Sequence, residues 1–118
     1  MPAPKPETIL KKRIKELKAI FADLDENKMK IVIPTIYQAA KMEQYIKSLQ
    51  DALDTAGFVE TYQNGDNQYG KKESTESKAY STMIKNYNSI IRTLLSCLPE
   101  GEQKQAEDEI SQFLKNRP

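Results

Sequence analysis

Residues 57–72 read GFVETYQNGDNQYGKK and interrupt the helical patterning that the chain carries on either side of them. Phe58 to Tyr62 is rich in aromatic and β-branched side chains, Asn64-Gly65 is the preferred pair for a tight type I′ turn, and Gln68-Tyr69 offers a returning strand. A β-hairpin is therefore expected at about 58–70. Two registers are open. A two-residue loop sets Tyr62 opposite Asn67, whereas a four-residue loop over 64–67 sets Tyr62 opposite Tyr69.

Upstream, Gly57 follows Ala56 as a C′ glycine, free to adopt the left-handed conformation that ends a helix. The helix it ends is expected from about Lys28, with Asn27 as its N-cap, and Ala39, Met42, Ile46, Leu49 and Leu53 share its apolar face. Pro34 lies inside this span and removes one backbone donor, which implies a kink or two abutting helices. Before it, Leu10, Ile14, Leu17, Phe21 and Leu24 follow a 4-3-4-3 spacing. That spacing makes a narrow seam of the kind that packs on a partner helix, and it is expected to serve oligomerisation. Residues 1–6, with alternating prolines, read as an extended leader.

Downstream, Ser74 or Thr75 can cap the next helix, with Glu73 and Glu76 favourable near its positive end. Tyr80, Ile84, Tyr87, Ile91, Leu94 and Leu98 repeat at helical spacing, widened by Met83, Ile90 and Leu95 into a broad stripe that Pro99 and Gly101 bring to an end. A last helix at about 102–116 carries Ala106, Ile110, Phe113 and Leu114 on one face. The expected organisation is a leader (1–6), a helical core with a hairpin (7–98) and a C-terminal helix (99–118) whose short apolar stripe would leave it mobile on its own. The fold class is mainly α: long antiparallel helices joined by a β-hairpin, flanked by N- and C-terminal helices.

Composition narrows the chemistry. Only 38% of the 118 residues are apolar and 30% are charged, a thin core for one chain and a reason to expect a homo-oligomer. There is no histidine and a single cysteine, Cys97, so triads and zinc clusters have almost no raw material. Glu107, Asp108 and Glu109 are consecutive on a helix and point apart, which rules them out as one cation site. No phosphate-binding glycine loop or nucleophile motif occurs. The reading is a non-enzyme without cofactor, metal or small-molecule substrate. No apolar run is long enough to cross a bilayer, and a lone thiol suits a reducing cytoplasm.

Charge distribution says more than the net value of +1. Lys11, Lys15 and Lys18 flank one side of the Leu10–Leu24 seam, with Lys12 further round and Arg13 on the other flank. Lys78, Lys85 and Arg92 recur every seven residues opposite the apolar stripe, and no acidic residue stands between Glu76 and Glu100. Lys71 and Lys72 lie at the exit of the expected hairpin. Cationic faces without matching acids suit phosphate-backbone contacts, and repetition in an oligomer would multiply them. In this reading Tyr62, Asn64, Gly65 and Tyr69 belong to an assembly element, since strand edges pair readily with other chains.

The order of features from about Ile36 to Leu98 resembles the small subunit of phage terminases of the P-twenty-seven type. The likeness lies in the helix IYQAAKMEQYIKSLQDALDTAG, the ribbon FVETYQNGDNQYG with its Asn64-Gly65 turn, and the helix KAYSTMIKNYNSIIRTLLSCL. The resemblance implies a non-catalytic subunit of a genome-packaging motor. Such subunits assemble as rings in the cytoplasm of the bacterial host, bind double-stranded viral DNA where packaging begins, and deliver it to the terminase large subunit, which holds the ATPase and nuclease. A different reading of the same residues is a helical adaptor or regulator that uses the Leu10–Leu24 seam as a coiled coil without DNA.

Overall fold

The computed structural model describes residues 4–57, 59–63 and 69–115. In chain order the elements are helix α1 (Pro6–Ile20), helix α2 (Glu26–Ala56), strand β1 (Val59–Gln63), strand β2 (Tyr69–Glu73), helix α3 (Thr75–Leu95) and helix α4 (Glu100–Lys115). No helix among the described residues is long and apolar enough to cross a membrane.

The expected fold class requires correction at its centre. The protein is mainly helical, with four helices among the described residues, and what joins α2 to α3 is not the hairpin expected at 58–70 with a two- or four-residue turn. The described backbone there is a short antiparallel ladder, shifted toward α3, that pairs Val59 with Glu73 and Gln63 with Tyr69. Tyr62 stands opposite Gly70, so neither the pairing with Asn67 nor the pairing with Tyr69 forms. Five residues, 64–68, separate the paired ends, a length that neither turn class supplies. The physical reason is the start of α3: Glu73 pairs in the ladder immediately before Ser74 caps the helix, and this anchors the second strand at 69–73. Asn64 and Gly65 lie outside the described residues.

The helix boundaries have local causes. Lys5 occupies the N-cap of α1 in extended conformation, Pro6 takes the first helical position, where a missing N–H costs nothing, and Glu7 complements the positive end. The helix stops at Ile20, earlier than the seam suggests, and Phe21 to Leu24 form a turn. Asp25, not Asn27, caps α2: its carboxylate accepts the Lys28 N–H at 2.8 Å, and its carbonyl accepts Met29 N–H at 2.9 Å. One continuous 31-residue helix runs through Pro34, so the expected break does not occur. Pro34 is exposed, and so is Lys30, whose carbonyl its missing N–H leaves over, while Val32, Ile36, Ala39 and Ala40 are buried on both sides of it.

At the other end of α2, Gly57 has φ +81 and its N–H reaches the Leu53 carbonyl at 2.7 Å, the single bond of a left-handed helix ending. Ser74 then performs two tasks. Its hydroxyl donates to the Gly57 carbonyl at 2.7 Å and accepts the Ser77 N–H at 3.1 Å, so one buried side chain ties the end of α2 to the start of α3.

The chain divides into two compact units, one formed by residues 1–41 and 88–118 and the other by residues 42–87. The first holds α1, the N-terminal part of α2, the C-terminal part of α3, and α4. Its core is Ile14, Leu17, Phe21, Val32, Ile36, Ala39, Ala40, Ile91, Leu94, Leu95, Leu98, Ala106 and Ile110. Helix α4 belongs to this unit. Ala106 and Ile110 are buried, and Arg13 of α1 donates to the Ile110 carbonyl at 3.0 Å. A short apolar stripe suffices for α4 because two of its side chains enter a core that α1 and α2 already supply.

The second unit is an antiparallel helix pair, residues 42–56 against 75–87, connected through the ladder. Met42, Ile46, Leu53 and Tyr87 are its buried apolar side chains. Two polar rungs cross it. Tyr87 Oη donates to Glu43 Oε2 at 2.7 Å, and Gln50 Nε2 donates to Tyr80 Oη at 3.2 Å. Residue 50 is seven after 43 as 80 is seven before 87, so both rungs belong to one antiparallel register.

Candidate nucleic-acid interface

The cations singled out by the sequence divide into groups with different surroundings. On α1, Lys11, Lys12 and Lys15 are exposed, and no described carboxylate pairs with them. Lys18 is half-buried, and its ammonium lies over the Tyr37 ring at 5.5 Å from the centroid, close enough for a cation–π attraction. Lys11, Lys15, Lys18 and Tyr37 line a shallow, open groove of about 500 Å³ with Glu7, Leu10 and Ile14. Charge in this groove is positive by three lysines against one glutamate, and its bottom is apolar.

Arg13 is a structural residue. Only 15% of its side chain is exposed, one guanidinium nitrogen donates to the Ile110 carbonyl, and another pairs with Glu16 Oε2 at 3.2 Å. A fork held on both prongs is not available to a phosphate, so Arg13 leaves the expected DNA-contacting set.

On α3, Lys78, Lys85 and Arg92 are all exposed. Successive members are seven residues apart, which rotates each by about 20° around the helix relative to the last, so the three remain on one side of it. Lys71 and Lys72 are in β2, where the ladder sets their backbones opposite Thr61 and Glu60.

The residues expected to mediate oligomerisation fare differently. Leu17 and Phe21 are completely buried and Ile14 nearly so, all in the core of the first unit. Leu10 and Leu24, at the ends of the seam, are half-buried. The seam is therefore covered within the chain, and that is a correction: heptad-like spacing reports a helix that needs a neighbour without saying whether the neighbour is in the same molecule. Tyr62 and Tyr69 contribute backbone to the ladder, and Asn64 and Gly65 lie outside the described residues.

Three features of the structure have no signature in sequence spacing. The Glu43–Tyr87 and Gln50–Tyr80 rungs were legible only as polar residues beside an apolar stripe. Ile31 is 72% exposed and Tyr37 and Tyr45 about half, although each was available to a core. An acidic cleft at the turn ends of the first unit unites residues from distant parts of the sequence. Among the described residues, no three His, Cys, Asp or Glu side chains are placed to hold one metal ion, and no buried side-chain polar atom lacks a hydrogen bond.

Comparison with protein-family models, with curated proteins and with solved structures finds no match to this chain.

Proposed function

We propose that this chain is a non-catalytic small subunit of a phage DNA-packaging terminase that contacts duplex DNA and passes it to a large subunit holding the ATPase and nuclease. The observation that carries the DNA-binding part is the cationic set itself. Lys11, Lys12 and Lys15 on α1 and Lys78, Lys85 and Arg92 on α3 are exposed, and among the described residues none is in an ion pair. Cations held this way on rigid helices meet phosphates without losing an internal partner, and they read backbone, not base sequence. The packaging context comes from the resemblance of residues 36–98 alone. A homo-oligomer would repeat the cationic faces along one duplex and raise a weak single-chain affinity.

The adaptor reading loses ground on a specific point. It requires the Leu10–Leu24 seam as an intermolecular coiled coil, and the three central residues of that seam are in the chain's own core.

The test is duplex binding by fluorescence anisotropy across a salt series, using DNA from the packaging-initiation region of the parent genome and a scrambled duplex. Each phosphate neutralised adds roughly −0.9 to the slope of log affinity against log salt. Lys11/Lys12/Lys15→Gln and Lys78/Lys85/Arg92→Gln should each flatten that slope while helix content stays unchanged. Parent-like binding by both variants, or no binding by the parent at low salt, refutes the proposal.

A further inference from the structure

Within the first unit, the α1–α2 turn and the α3–α4 turn border an open cleft of about 600 Å³. We propose that it is the docking site for a short partner segment carrying one or two aliphatic side chains flanked by lysine or arginine.

Two properties of the lining select that chemistry. Apolar side chains in the lining are incompletely covered: Ile20 and Leu24 are half-buried beside the buried Leu98 and Ala106. Aliphatic side chains set on them would remove this surface from water. The rim is acidic, with Asp23, Asp25, Glu102 and Glu109 against the single cation Lys28, a local balance of −3 from four carboxylates and one lysine. The whole chain carries +1, so the cleft is opposite in sign to the molecule around it.

The arrangement also excludes simpler occupants. No three carboxylates converge on a point where a metal ion could sit, so charges spaced along one segment suit the rim better than a single ion. Duplex DNA is repelled by it, which separates this cleft from the lysine faces of α1 and α3. A volume of about 600 Å³ holds a few side chains, and this sets the length of the segment that enters at a single turn or short extended stretch.

The probe is a fluorescein-labelled octapeptide of alternating leucine and lysine pairs, titrated with the full chain by anisotropy, with its glutamate-for-lysine counterpart as control. The lysine peptide should bind saturably and more weakly as salt rises, and the glutamate peptide should not bind. Glu102→Gln/Glu109→Gln should weaken the lysine peptide roughly 2- to 30-fold, the range expected for two exposed charge contacts. Leu24→Asn should weaken it too, whereas Lys78→Gln/Lys85→Gln should leave it unchanged. Amide shifts on peptide addition should centre on Ile20, Leu24, Glu102 and Ala106. Equal binding of the two peptides, parent-like affinity in the cleft variants, or shifts centred elsewhere overturn the proposal. Self-association of the chain that the cleft variants abolish would assign the cleft to a second copy and overturn the foreign partner. The cleft variants keep every lysine, so this inference and the DNA-binding proposal fail separately.

Discussion

Replacing Tyr87 by phenylalanine removes a single oxygen from the helix pair of the second unit, and its consequence can be worked out from the surroundings of that atom. The hydroxyl donates to Glu43 Oε2 at 2.7 Å, and the two residues are 3% and 7% exposed, so water does not readily take its place. A hydrogen bond to a charged acceptor contributes about 1.5–3 kcal/mol, and a buried acceptor that loses a donor retains its desolvation cost. Tyr87→Phe is accordingly expected to lower stability by about 1.5–3 kcal/mol. At roughly 4 °C per kcal/mol for a domain of this size, Tm should fall by about 6–12 °C. The double variant Glu43→Leu/Tyr87→Phe distinguishes a specific polar pair from loss of packing. With both partners apolar no polar atom of the pair remains buried, so the double variant should be less destabilised than the sum of the single ones, with a coupling of about 1–3 kcal/mol. Urea unfolding followed by circular dichroism measures all three. Additive effects, or a Tyr87→Phe cost under about 0.5 kcal/mol, would refute the view that this rung holds the pair together.

Ser74→Ala removes both a helix cap and the bond to the Gly57 carbonyl, and it should cost about 1–3 kcal/mol, with Ser74→Thr restoring part of the cap, as read by urea unfolding. Leu17→Ala leaves a cavity at a fully buried position and should cost about 2–5 kcal/mol without changing the oligomeric state by light scattering; a change of assembly with little loss of stability would return the seam to an intermolecular role.

Helix existence and type were legible in the sequence because they depend on short-range periodicity. The stripe from Tyr80 to Leu98 and the face from Ala39 to Leu53 are written at spacings of three and four, and the structure buries or half-buries them along α2, along α3 and, at Leu98, in the turn after it. The end of α2 at Gly57 and the start of α3 at Ser74 were legible too, since a left-handed glycine and a capping hydroxyl act within a few residues. The cap of α2 was misplaced by two residues because Asp25 and Asn27 are both competent and only the backbone path chooses between them. For the candidate interface, the exposed Lys78, Lys85 and Arg92 followed from lying opposite an apolar stripe, whereas the engagement of Arg13 did not.

What periodicity leaves open is the identity of the neighbour. The spacing of Leu10, Ile14, Leu17, Phe21 and Leu24 states that α1 must bury one face, and it is equally satisfied by another chain or by this one. The tertiary fold gives that face to the core shared with Val32, Ile36 and Ile110, so the seam becomes interior. The same step brings the carbonyl of residue 110 to the guanidinium of residue 13 and Tyr87 to Glu43. It also gathers the turn-end carboxylates around one cleft. Ladder register belongs here as well, because the start of α3 fixes β2 before any turn preference of the intervening residues can act. Local sequence determined which segments are helices and which faces they must cover. Only the packing of those faces decided which cations stay free, because a long-range contact is settled by shape and burial across the whole chain and leaves no spacing to read.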